Sequence, residues 1–301
     1  MEPNPPEHRV FPLFFFPVFV LGAFLLFNQP VVQGHVKRVF EVPQGKILYF
    51  TEVEPDGEHY LSLKCFNRTI PLFNTGSPKE VGAFIGVDLA QSKKLHSCEL
   101  EKEDKMGTRI KTNFWVKVVD GAFRTQELTV PSAMVDLNPP TLKQVNQEKK
   151  DVDQLWSHSN PEKLWEGDFI VPINGEARGS FGLRRVFNGQ PRNPHTGEDF
   201  SASLGENVFS SNRGIVKLVG DHFFSGKSIF IDHGVGVYTM YFHLSEILVG
   251  EGEIIGKGKI IGKVGSTGRA TGPHLHWGLR INNTRVDPLS ITRFSLDPPS
   301  K

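Results

Sequence analysis

Cysteine is nearly absent from this chain: 301 residues carry two, Cys65 and Cys98. They lack the Cys-x-x-Cys spacing of a zinc or dithiol site and lie far along the chain from every histidine cluster, which excludes thiol chemistry at a site. Pairing with each other and separate burial both remain open, because spacing does not give geometry. Net charge is equally scarce, at +1 with a pI near 7.8. No whole-chain electrostatic bias therefore favours nucleic acid or an acidic partner. A phosphate loop is missing too, since Gly226-Lys227-Ser228 has no earlier glycine in register. What is present is the composition of a folded protein, 22% charged and 38% hydrophobic. Its 24 phenylalanines and many β-branched runs lean towards β structure.

Val10 to Phe27 runs without a charge, interrupted by Pro12 and Pro17. The run is long for the core of a signal peptide and just long enough to span a bilayer. Glu2, Glu7 and Arg9 make a poor positive start, while Val32-Gln33-Gly34 offers a cleavage point after Gly34. Residues 1–34 are expected to be a cleaved signal peptide or a signal anchor, the latter holding the chain to a membrane through residues 10–27. Either places the remainder in the periplasm or cell envelope. A buried core helix is the alternative.

Residues 35–130 read as a β-rich accessory domain resembling a small β-sandwich. Short strands such as Val39–Val42, Ile47–Phe50, Tyr60–Leu63, Phe84–Val87, Arg109–Lys111 and Phe114–Val119 alternate with turns such as Pro55-Asp56-Gly57. No site gathers there; the segment positions a substrate or partner, or is structural. Residues 131–167 form a polar linker with a helix expected from Thr141 to Trp156, where Leu142, Val145, Val152 and Leu155 recur at helical spacing. Residues 168–290 read as a compact antiparallel β domain, with strands expected at Ile170–Ile173, Ile215–Val219, Ser228–Asp232 and Val237–Phe242. Residues 291–301 are a tail. The fold class is mainly β.

This last β domain carries the histidines. His274 and His276 stand at i and i+2, on one face if the segment is a strand; they are ligands, or one is merely packed. His195 and Asp199 are four apart and share a face of an extended segment. Both types donate to zinc, and three protein ligands with one open position is the catalytic arrangement. A turn hydrogen bond is the bland explanation of that pair. His243 ends the apolar Tyr241-Phe242-His243-Leu244 run, where a histidine bonded to backbone would be ordinary. A water-bearing metal site, however, needs a group to move protons. His222 and His233 are expected to be structural, and Trp277 and Phe200 to pack in the core. Arg184, Arg185 and Asn188 either meet substrate carboxylates or are solvated turn residues.

Taken together, His-x-x-x-Asp, Tyr-x-His-Leu and Gly-Ser-Thr-Gly-Arg-x-Thr-Gly-Pro-His-Leu-His resemble the lysostaphin-type (LytM-like) zinc endopeptidases of bacterial cell walls. The resemblance covers about Phe169 to Leu289, including Ser180-Phe181-Gly182-Leu183-Arg184-Arg185 and Val286-Asp287-Pro288. It implies one Zn2+ held by His195, Asp199 and His276, with His243 and His274 acting on the water and the tetrahedral intermediate. It also implies hydrolysis of peptidoglycan peptide cross-links. The competing function is a catalytically silent peptidoglycan-binding regulator of another wall hydrolase. A biotinyl- or lipoyl-type carrier, suggested by the glycine-rich Val249–Gly258 segment, lacks the context of a modified lysine. The groove is further expected to be open to cover by the accessory domain or linker.

Overall fold

The computed structural model describes residues 38–56, 58–129, 132 and 136–296. The apolar run at 10–27 and the cleavage point after Gly34 lie outside them. Among the described residues no helix is long and apolar enough to cross a membrane.

The N-terminal half is built from β1 (Val39–Pro43), β2 (Ile47–Val53), β3 (His59–Cys65), β4 (Arg68–Ile70), β5 (Phe73–Asn74), β6 (Glu80–Gly86), β7 (Leu95–Glu103) and β8 (Arg109–Val119). One sheet runs β1-β8-β7-β3-β4 and a second β2-β6-β5. The two expected strands at Arg109–Lys111 and Phe114–Val119 are thus one. Phe50, Ala83 and Ile85 of the second sheet share a core with Leu63, Phe114 and Val116 of the first, which is the sandwich-like packing expected. Cys65 and Cys98 form a disulfide between β3 and β7.

The second sheet is apolar on both faces. Along β2, Leu48 and Phe50 face the first sheet, while Ile47 and Tyr49 face a further cluster with Trp165, Val237, Leu279 and Ile281 of the C-terminal half. Ala83 and Ile85 against Phe84 repeat the division in β6. A strand buried on both sides loses its polar alternation. The same layer carries polar ties: Asp287 accepts from Lys46, its backbone N–H reaches the Gly45 carbonyl at 2.7 Å, and Asn282 Nδ2 donates to the Phe84 carbonyl at 3.1 Å.

Between the halves, β9 (Thr125–Leu128) precedes α1 (Pro139–Leu155). The helix begins earlier than expected. Asn138 caps it by accepting from the Thr141 N–H at 2.9 Å, and Pro139-Pro140 occupy its first turn, where a missing N–H costs nothing. None of its residues is fully buried. It is strapped down at its middle and its C-terminal end instead: Glu148 accepts from the Phe223 N–H at 3.0 Å, the Tyr238 hydroxyl donates to the Leu155 carbonyl at 2.8 Å, and the Arg280 guanidinium lies 4.1 Å from the Trp156 ring centroid.

The C-terminal half contains β10 (Glu176–Ala177), β11 (Arg184–Phe187), β12 (Gln190–Pro191), β13 (Gly197–Ser201), β14 (Asn207–Phe209), β15 (Gly214–His222), β16 (Gly226–Asp232), β17 (Val237–Ile247), β18 (Ile254–Ile255), β19 (Ile260–Val264), β20 (His274–Ile281) and β21 (Thr284–Val286). Its large antiparallel sheet is ordered β10-β13-β20-β17-β16-β15-β18, with β14, β19 and β21 attached. The strand expected at Ile170–Ile173 does not form. Two hydrogen bonds tie this stretch to Phe209 and Ser211, but Pro172 has no N–H with which to extend a ladder. A small sheet β12-β11-β9 joins the halves, with β9 parallel to β11. Ile291, within the short 3-10 turn Pro288–Arg293, and Leu296, after it, are buried in the shared cluster.

Candidate metal centre

Strands β13 and β20 are neighbours in register: Asp199 pairs with His276, and Ser201 with His274. Strand alternation puts Leu275 and Trp277 into the core and His274 and His276 on the opposite, groove-lining face. His195 precedes β13 in the chain. Its Nδ1 lies 3.0 Å from the Ser180 carbonyl, the Ser180 hydroxyl accepts from the Asp199 N–H at 2.8 Å, and the buried Glu198 carboxylate accepts the N–H groups of Ser180 and Phe181 at 2.9 and 3.1 Å. One turn at 180–181 therefore orients both His195 and Asp199.

The pieces meet tightly. One donor atom each from His195, Asp199 and His276 lies within 4.8 Å of the others, and all three residues are buried. A carbonyl only accepts, so the His195 Nδ1 carries the proton and its Nε2 presents a lone pair. That Nε2 sits 2.9 Å from the His276 Nδ1 and 3.2 Å from the Asp199 Oδ1. An acceptor nitrogen buried against a carboxylate oxygen is repulsive unless a cation stands between them. Burial opposes charge on Asp199, but the contacts with the two imidazoles outweigh it and hold the carboxyl well below the usual range. Burial, partly offset by Asp199, lowers the His276 pKa to about 4, so that imidazole is neutral near pH 7. Imidazole nitrogen and carboxylate oxygen, with a backbone carbonyl fixing one tautomer, form a donor set that fits a transition metal ion.

His243 arrives by a different device. Tyr241 pairs with Ile229 and Leu244 with Lys227, so two residues of β17 face one of β16, a β-bulge. Within it His243 has φ +64, an unusual conformation for a residue with a Cβ. Its ring centroid lies 4.8 Å from that of His274 and 6.0 Å from that of His276. The Nδ1 of His243 reaches the Thr267 carbonyl at 2.9 Å and that of His274 the Gly272 carbonyl at 2.8 Å. Both histidines thus hold their protons on Nδ1 and present Nε2 as an acceptor. The His243 pKa is lowered to about 3, chiefly by burial and then by the neighbouring histidines.

All five residues line one cavity of about 640 Å³. His222 and His233 do not: His222 bonds to Ser228, and His233 is buried between the Arg213 carbonyl and the Thr239 hydroxyl. Of the expected carboxylate contacts, only Arg185 lines the cavity; Arg184 and Asn188 do not. Sequence reasoning missed Arg192, gave no role to Arg269 inside the glycine-rich run, and did not see that Glu198 and Ser180 position the ligands. Gln126 and Leu128, at the end of the segment read as the accessory domain, and Leu137 of the linker contribute a wall.

Residues 193–288 match Peptidase family M23. Over 96 residues the chain is 41% identical to peptidoglycan DD-endopeptidase ShyA of Vibrio cholerae, covering 32% of this chain and 22% of that protein. Over 97 residues it is 45% identical to DD-carboxypeptidase/endopeptidase Mpg of Neisseria meningitidis, with the same coverage of 32% and 22%. The matches therefore span about a fifth of the length of these relatives. A crystal structure of a putative peptidase M23 from Pseudomonas aeruginosa is similar over 83% of this chain and 94% of that one, with TM-score 0.64 and 26% identity. That likeness extends over most of the chain, and residues 193–288, which carry all five histidine and aspartate residues of the cavity, are the part that matches peptidase family M23.

Proposed function

We propose that this protein is an exported zinc metalloendopeptidase that hydrolyses peptide bonds of peptidoglycan. One observation carries the reading: two histidines with acceptor nitrogens, His243 and His274, stand in the same cavity as the buried His195, Asp199 and His276 donor set. A silent binding module needs neither the donors nor the two acceptors. The DD-endopeptidase and DD-carboxypeptidase activities in the relatives' names support a D,D-peptide bond as the target, and the Cys65–Cys98 disulfide fits an oxidising compartment.

His195 Nε2, Asp199 Oδ1 and His276 Nδ1 would hold the zinc ion. Bound there, zinc supplies Lewis-acid polarisation of a carbonyl and acidifies water towards a pKa of about 7. The chain's own part is proton transfer and orientation. The Nε2 of one of the two, His243 or His274, takes the proton of the attacking water and, once protonated, donates to the oxyanion or to the leaving amine; the Nε2 of the other is placed to carry the second proton of that water to the same amine. Because each Nδ1 is tied to a carbonyl, neither ring turns away during this exchange.

The test is digestion of purified sacculi with and without a chelator, beside His195→Ala. The native protein should release soluble peptide fragments in a zinc-dependent way, and the variant should lose both bound zinc and release. Release by a metal-free His195→Ala protein would overturn the proposal. Zinc-independent binding to sacculi without release would favour the regulator instead.

A further inference from the structure

The cavity is electrostatically one-sided. Five arginines line it, Arg178, Arg185, Arg192, Arg269 and Arg285, and among the described lining residues Asp199 is the only acidic side chain. Three of them crowd together. Arg269 and Arg185 lean on the same Phe187 ring, at 5.2 and 5.8 Å from its centroid, and Arg269 also lies 4.1 Å from the centroid of Phe224. Burial, and then the charges of Arg185 and Arg192, lower the Arg269 pKa to about 10, still far too high for it to lose its proton near pH 7. Arg185 approaches the metal donors, its Nη2 lying 3.6 Å from the Asp199 Oδ2. The Arg185 Nε is buried with no hydrogen bond among the described residues. Aromatic faces fix the rings of charge in place, and like charges held together in a half-buried wall are relieved by an anion that accepts from them in pairs.

We propose that Arg185, Arg192 and Arg269 form a carboxylate subsite that binds the free α-carboxylate of the residue on the leaving-amine side of the scissile bond. This rests on the hydrolase reading and narrows its substrate class. The carbon of such a carboxylate lies about 2.5 Å from the scissile nitrogen, across one Cα. A guanidinium beside Asp199 is therefore at the right reach for a peptide whose scissile bond lies over the metal donors. A D,D-bond at the end of a peptide, or onto a residue whose own carboxyl is free, carries this group. A bond inside a glycine bridge does not. The cationic wall selects between the two classes of cross-link.

The test uses the full chain carrying His243→Ala and loaded with zinc, titrated by NMR with N-acetyl-D-alanyl-D-alanine and with its C-terminal amide. The free acid should bind on the order of tenfold to a hundredfold more tightly than the amide. In an added Arg192→Gln/Arg269→Gln pair the gap should close to about twofold. Arg269→Lys keeps the charge where glutamine disturbs the fold, and should retain a reduced gap. Equal binding of acid and amide overturns the subsite, as does an acid preference that survives the double glutamine variant. Zinc-dependent cleavage by the native chain separates this from the function itself. Cleavage without acid preference removes the subsite and leaves the hydrolase; acid preference without cleavage does the reverse.

Discussion

Each histidine of the cavity is defined by what its second nitrogen touches. His195, His243 and His274 all spend Nδ1 on a backbone carbonyl and aim Nε2 inward. His243 does so from a left-handed backbone position, a conformation that costs about 1–3 kcal/mol and persists only when its surroundings impose it. Replacing it with alanine should lower kcat by about 10²–10⁴-fold while bound zinc, measured by atomic absorption, stays at one per chain. Loss of zinc in that variant would make His243 part of the metal shell. His233 gives a stability prediction. Burial lowers its pKa to about 4, against 6.5 when unfolded. Between those values the unfolded chain binds a proton that the folded chain does not. Stability from this site is thus present above pH 6.5 and lost as pH falls towards 4, at up to about 1.4 kcal/mol per pH unit. Urea titrations of His233→Gln should show a flatter pH dependence than the native protein over that window. Much of this scale was legible: the i and i+2 histidines, the His-x-x-x-Asp spacing and Tyr-x-His-Leu pointed to the five residues. Their orientation was not, because the Ser180 and Thr267 carbonyls that set His195 and His243 are brought in by tertiary contact, and the Gly272 carbonyl that sets His274 is aimed by the shape of the turn just before it.

At the level of elements, the site is a joint between two strands. β13 must come close enough to β20 for Asp199 to reach His276, and Gly197 permits it. A Cβ there would stand 2.3 Å from the His276 Nε2 and 2.7 Å from the Trp277 carbonyl. Gly197→Ala should therefore displace the His276 ring and weaken zinc at least about tenfold by competition with a chelating dye. Unchanged affinity would show that β13 shifts freely. The glycines of the Gly265–Gly272 run do turn the chain into β20, and Gly265 packs against the backbone of Leu244 and Ser245, inside a Cβ's reach. Strand periodicity and turn residues made most strands legible. The exceptions share a cause. Ile170–Ile173 has the composition of a strand but carries a proline on the donor side, and β9 was not among the expected strands because Thr125–Leu128 alternates without a strong apolar face and finds its partner, β11, 59 positions on (Thr125 opposite Arg184). Helix α1 was readable from its periodicity, its start less so, since Pro139-Pro140 begins the helix instead of preceding it.

At the scale of the whole molecule, the β2-β6-β5 sheet decides behaviour. It is sealed between two apolar clusters, one of them made jointly with Leu279, Ile281 and Val286. A fragment starting at Asp168 would expose that cluster's lower face and lose the β9 strand beside β11. It should melt at least about 10 °C below residues 38–301, or aggregate, rather than emerge as a cleaner enzyme. Equal melting temperatures by calorimetry would show the halves to be independent. This coupling was invisible in the sequence, where β2 and β6 look like ordinary sandwich strands. Only the three-dimensional partner distinguishes a strand with one buried face from a strand with two.

The shared sheet also limits how such a protein can be rearranged by recombination. A crossover in the linker would separate Ile47, Tyr49, Phe73 and Phe84 from the Leu279, Ile281 and Phe294 surface they fit, and the Lys46–Asp287 pair would be split as well. The N-terminal sheets and the half that holds the metal donors must be inherited together, so a change of ligand has to arise within the cavity walls and not by exchanging one half for another.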